Sequence, residues 1–132
     1  MYKEILISII IVLVITIGDY MTQGYTDKSM TELQKELSSF ETKVKENLYQ
    51  EEKRQELEQD LKNIHQNWDE MYQILAYFIE HDELEKVETE LTDIKGKIEV
   101  GLNEESIAEI QKCNFILEHI KDKERLMIQN IF

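Results

Sequence analysis

The stretch FIEHDELEKVETEL, residues 78–91, gathers side chains that bind metals and move protons. His81 stands there among six carboxylates: Glu80, Asp82, Glu83, Glu85, Glu88 and Glu90. Carboxylate oxygens beside an imidazole suit a divalent cation, and the same groups can serve general acid–base chemistry. The set that would ligate is Glu80, His81, Asp82 and Glu83. The competing reading is a junction between two helices. Asp82 and Glu85 are spaced as an N-cap and N3 pair, and a helix dipole favours negative charge in the first turn. As a cap, Asp82 would be worth about 0.5–2 kcal/mol.

The spacing of the three histidines favours the junction. A di-metal carboxylate bundle uses Glu-x-x-His pairs on facing helices. Lys62, Phe78 and Ile116 stand three residues before His65, His81 and His119, so that pairing is missing each time. There is no His-Glu-x-x-His, no calcium-loop pattern and no glycine-rich phosphate loop. Cys113 is the only cysteine; it rules out an internal disulfide and reads as a small buried hydrophobe. Trp68 falls on a helical apolar stripe and reads as core. No catalytic residue and no cofactor are expected, and the chain is read as a non-enzyme.

The elements that must position these residues are helical. Proline is absent from the 132 residues and glycine occurs four times, which disfavours an all-β fold. Met30, Leu33, Leu37, Phe40 and Val44 recur in steps of three and four, as one face of a first helix. SMTE, residues 29–32, matches a capping box with Ser29 as cap and Glu32 reaching back. Leu57, Leu61, Ile64, Trp68, Met71, Leu75 and Phe78 form a second stripe, on a helix expected over about 50–80. Leu84, Val87, Leu91, Ile94 and Ile98 form a third. Ile107, Ile110, Leu117 and Ile120 form a fourth. Asn47 is the best candidate for the break between the first two helices. Gly101 suits the left-handed residue that ends the third, and Asn103 suits the cap of the fourth. Each helix has one apolar stripe and a charged back, so none is stable alone. An antiparallel bundle of about four helices over residues 27–132 buries all the stripes. A homodimeric coiled coil along the second helix is the competing arrangement. The closing RLMIQNIF, residues 125–132, is expected to dock its apolar side chains back onto the bundle, with a recognition segment for a partner as the alternative.

Residues 5–17, ILISIIIVLVITI, are apolar apart from Ser8 and Thr16. The uncharged window from Ile5 to Gly18 suits a signal-peptide core or a short membrane anchor. Three features favour an anchor comprising residues 1–26, in contact with lipid through residues 5–21. GDYMTQGY offers no small-x-small cleavage signal. Tyr2, Tyr20 and Tyr25 flank the segment as aromatic residues do at membrane interfaces. Extension through Met21 also brings the helix near a spanning length. Lys3 precedes the segment and Asp19 and Asp27 follow it, which places the bulk of the chain outside the cytoplasm.

The net charge is −13, from 15 basic and 28 acidic residues. Such a surface lacks the cations that displace phosphate counterions, so nucleic acid is excluded as a partner. Basic partners and divalent cations are its electrostatic complements.

The apolar N-terminal segment, NW at 67–68, FIEHDELEKVETEL at 78–91, ILEHI at 116–120 and NIF at 130–132 together resemble domain-of-unknown-function family 4363. Its members are small membrane-associated helical proteins of Gram-positive, largely spore-forming bacteria. The resemblance implies architecture and membrane association, with no established activity and no catalytic residues to carry over. Members look like partners of other membrane proteins. The function expected is therefore a membrane-anchored interaction module or accessory subunit, or else an extracytoplasmic protein binding a cation or small ligand. A homo-oligomer remains open.

Overall fold

A computed structural model describes residues 1–131, with the side chains of Ile128 and Ile131 excepted. Four α-helices follow in order: α1 (Tyr2–Glu46), α2 (Arg54–Leu75), α3 (His81–Glu99) and α4 (Asn103–Ile131), with a short 3-10 turn at Glu51–Lys53 leading into α2. The fold is an all-α bundle. α1 packs on α2 and α4, and α3 packs on the same two helices, which gives a square array.

Cross-helix pairs fix the directions. Arg125 lies 2.6 Å from Asp27, the Gln34 amide donates to Glu118 at 3.0 Å, and the Gln111 amide donates to Glu41 at 2.8 Å. As the number rises on α4 it falls on α1, so the two are antiparallel. Lys43 with Asp60 and Asn67 with Glu36 set α2 antiparallel to α1. Lys97 with Glu109 and Lys123 with Glu83 do the same for α3 and α4.

The stripes legible in the sequence meet in one core. Met30, Leu33, Leu37, Leu57, Leu61, Trp68, Leu84, Leu91, Ile94, Ile98, Ile110 and Leu117 are all buried. Cys113 is buried with them, and burial pushes its thiol up to about 12, so it is inert at neutral pH. Ile107 is only half-buried; Ser106 turns inward in its place and bonds its hydroxyl to the Asn103 carbonyl.

α1 corrects the expected capping box. The helix runs 45 residues without a break, about 67 Å at 1.5 Å per residue. Ser29 is an interior, buried residue of it, so it caps nothing. No proline interrupts the helix, and the hydroxyls that could compete with its ladder are turned back onto it. Ser8 donates to the Glu4 carbonyl at 2.9 Å and Thr16 to Val12 at 2.8 Å. Those bonds leave no bare hydroxyl on the apolar segment, where an unpaired one would be costly in lipid. Along α1 the surroundings change while the backbone does not. Ile5 to Met21 expose their apolar side chains, and burial in the bundle begins at Thr26.

Asn47 ends α1 as expected, with its side-chain amide on the Lys43 carbonyl at 2.7 Å. α2 is shorter than expected. It ends at Leu75, and a turn carries Ile79 into the core while Phe78 is only half-buried. Gly101 is left-handed, with φ 78°. Its N–H bonds to the Ile98 carbonyl at 3.1 Å, and that of Leu102 to Lys97 at 2.8 Å, the paired bonds of a Schellman stop. Gly101→Ala should cost about 1–2 kcal/mol, because the left-handed conformation strains a residue with a Cβ. That Cβ would also come 2.7 Å from a flexible Arg54 nitrogen. Urea melts of the two proteins check this. Asn103 does not cap α4. It is the first helical residue, and its side-chain amide reaches back to the Leu48 carbonyl at 3.1 Å.

The expected docking of the C-terminal tail fails where it is described. Leu126 and Met127 are exposed, at 58% and 51% of their surface. The side chain of Ile128, that of Ile131, and all of Phe132 lie outside the described residues. α4 continues past the last buried residue of its stripe, Ile120, and carries Leu126 and Met127 beyond the core.

Candidate functional site

The segment 78–91 is a turn followed by a helix, and its local bonds account for most of its acid. The Tyr77 N–H bonds to the Ile74 carbonyl and the Ile79 N–H to Leu75, which stops α2. Glu80 then takes an extended conformation, φ −58° and ψ 134°, and is the N-cap of α3. Its carbonyl accepts the Glu83 N–H at 3.1 Å, but its carboxylate makes no cap bond. That carboxylate is drawn instead to Lys123 of α4, at 3.1 Å. Asp82 is therefore not the cap expected of it. It is the second helical residue, and only the helix dipole rewards its charge there.

The four candidate ligands do not converge. No three of Glu80, His81, Asp82 and Glu83 bring ligand atoms within 4.8 Å of one another, as two other groups among the described residues do. Glu83 points into the bundle, 3.2 Å from Lys86 and 3.5 Å from Lys123. Burial would raise its pKa, but the two ammonium groups win and hold it below the usual carboxylate range. His81 faces the opposite way. Its Nε2 is 3.1 Å from the Tyr72 hydroxyl, and the two rings meet edge to face.

The two convergent groups were missed by sequence reasoning. In the first, His65 Nε2 lies 2.7 Å from Glu88 Oε1, while the Trp68 indole N–H donates to Glu88 Oε2 at 2.9 Å. Asp69 stands beside them. His65 and Trp68 are three apart on α2 and so share a side, a signal visible in the sequence. Their partner on α3 depends on the register between helices, which spacing along one helix does not disclose. Both Glu88 oxygens are engaged, so this carboxylate orients the two rings. Among the described residues, the side-chain partner of His65 is Glu88, and no serine, threonine or cysteine bonds to it.

The second group is Glu90, Asp93 and Glu109, with Glu90 buried between α3 and α4. Lys112 lies 2.6 Å from Glu90, and Lys97 lies 2.6 Å from Glu109. Burial raises the Glu90 pKa, and its contact with Glu109 adds to this against the pull of Lys112. The Glu109 pKa is lowered, first by Lys97 and then by Glu90. The second oxygen of each is buried without a hydrogen-bond partner, although Lys112 Nζ stands 3.8 Å from that of Glu109. A proton held on Glu90 would be donated to Glu109 and satisfy both, the arrangement favoured when two carboxylates share a site.

A pH effect follows. A carboxyl whose folded pKa is raised stabilises the fold below its unfolded pKa, near 4.5 here, and that contribution is lost as pH climbs through the raised value. Glu90→Gln keeps the donated hydrogen bond and removes the ionisation. The melting temperature of Glu90→Gln minus that of the parent should therefore increase as pH rises from 4 to 8. Melts across that range that stay parallel would disprove the shared proton.

The family model of a domain of unknown function, DUF4363, matches residues 20–131. The matched stretch contains the whole bundle and begins beyond the apolar segment at 5–17. No curated protein matches the chain, and no solved structure does.

Proposed function

We propose that this chain, which belongs to the DUF4363 family, is a non-enzymatic interaction module held at a membrane by residues 5–21 and serving as an accessory subunit of a membrane complex. The observation that carries this reading is α1. One uninterrupted helix joins an apolar segment, none of it buried, to a bundle with a largely apolar core. No described part of the chain covers the segment, and it is long and apolar enough to cross a bilayer. Ion pairs and hydrogen bonds such as Lys97–Glu109, Lys112–Glu90 and Asn67–Glu36 link neighbouring helices across their interfaces. The charge asymmetry around the segment supports an extracytoplasmic bundle. An acidic surface there favours a partner with a basic face.

The alternative is an extracytoplasmic protein that binds a cation at Glu80, His81, Asp82 and Glu83. It would have to displace Lys123 from Glu80 and Glu83. The experiment that separates the two is purification of the tagged chain from crosslinked membranes, with calorimetry against divalent metals on the same material. The interaction reading expects one membrane protein to be recovered in fixed proportion, and no heat that is lost in His81→Ala. Repeated recovery of the chain alone overturns it.

A further inference from the structure

We infer that the anchor-proximal end of the bundle is itself a membrane-binding surface, seated in the headgroup layer of the bilayer that α1 enters. The inference rests on the anchored reading above and goes beyond it.

Three elements meet at one level. The Tyr25 ring on α1 meets the Phe78 ring of the α2–α3 turn edge to face, with centroids 6.2 Å apart. Arg125 on α4 reaches Asp27 on α1 at 2.6 Å. Lys123 on α4 reaches Glu80 in the turn at 3.1 Å. At and beyond this level the apolar side chains point outward. Tyr77 at the turn is 89% exposed, Leu126 and Met127 extend from α4, and Tyr20 and Met21 extend from α1.

The occupant is lipid for two reasons. α1 has no hinge between its apolar segment and the bundle, so the end face is held at a fixed height above the membrane. The uncharged window Ile5–Gly18 is 14 residues, about 21 Å, against a hydrocarbon core of about 30 Å. The bilayer therefore takes up flanking residues or thins. Leu126–Ile131, six residues or about 9 Å of helix, runs down beside the stretch that makes up the difference. Asp27, Glu80 and Glu83 are paired with Arg125 and Lys123, which offsets the repulsion of these three acids from phosphate; Asp82, Asp122 and Glu124 add negative charge at the same level, so the apolar and aromatic side chains carry the seating. Tyrosine, lysine and arginine beside apolar side chains make up the usual interface belt. The opposite end, where Tyr49, Val100 and Leu102 are exposed, faces away from α1's apolar half.

The test is depth measurement by nitroxide labels on the full chain in nanodiscs of phosphatidylcholine with a minor share of phosphatidylglycerol. Labels go at Tyr77→Cys, Leu126→Cys, Val100→Cys and Ile10→Cys, one at a time. All four positions are exposed, and the native Cys113 is buried and unreactive. Collision with oxygen should exceed collision with a water-soluble nickel complex at 10, 77 and 126, and fall several-fold below it at 100. If 10 is in lipid while 77 and 126 are in water, this inference fails and the anchor stands. If 10 is in water as well, the anchored reading has failed with it. Labels at 77 and 126 shielded from both reagents would mean protein contact with another chain, and would also overturn the inference.

Discussion

Trp68→Ala should lower the stability of the bundle by about 3–5 kcal/mol, the usual cost of deleting a buried aromatic side chain. Trp68 is fully buried at the centre of α2 and packs edge to face on Tyr72. It is the largest side chain in the core, and no smaller neighbour can fill its volume. Its loss has a second consequence. Glu88 Oε2 loses the indole donor and is left with only His65 to hold that carboxylate to α2. The melting midpoint should fall by on the order of 15 °C or more. Trp68→Phe should cost less, because it keeps part of the ring volume. Circular dichroism melts in detergent check both, and a Trp68→Ala midpoint within a few degrees of the parent would contradict the packing described.

An equally large effect is expected in the apolar half of α1. Ile10→Arg with Leu13→Arg places two charges near the middle of the segment, at about 2.5–3.5 kcal/mol each for membrane insertion. Both side chains are exposed and touch no part of the bundle. The double variant should shift from the alkaline-washed membrane pellet to the soluble or aggregated fraction. The melting curve of its bundle should not move. Retention in the pellet, or a bundle that unfolds, would mean that the segment is packed against protein.

Much of this was legible in the sequence because helices in a bundle announce themselves by stripe. Leu57, Leu61, Ile64, Trp68, Met71 and Leu75 follow the three-four rhythm and are all buried. Gly101 was legible too, since a left-handed stop has few tenants. What failed were the helix starts. Ser29, Asp82 and Asn103 each have cap chemistry, yet none caps. Ser29 lies inside a helix that the apolar segment had already begun, so no N-terminus forms there. At Asp82 the start is set two residues earlier, where Glu80 is extended and Lys123 holds its carboxylate. Asn103 spends its amide on the Leu48 carbonyl across the bundle. In each case a tertiary partner or a longer helix overrode a local preference. The same reasoning explains why His65–Glu88 and Glu90–Glu109 went unseen. Their halves lie on different helices, and only the antiparallel register joins them. In residues 78–91 the acid was conspicuous, but the lysine that answers it lies on α4, 40 residues from Glu83 in sequence.

The most direct measurement is mass spectrometry of the native protein from alkaline-washed membranes, with the soluble fraction analysed beside it. The account predicts membrane-bound material in which residues 5–21 are still joined to the bundle. A soluble species whose N-terminus lies near Gly24, with the apolar segment removed, would contradict it.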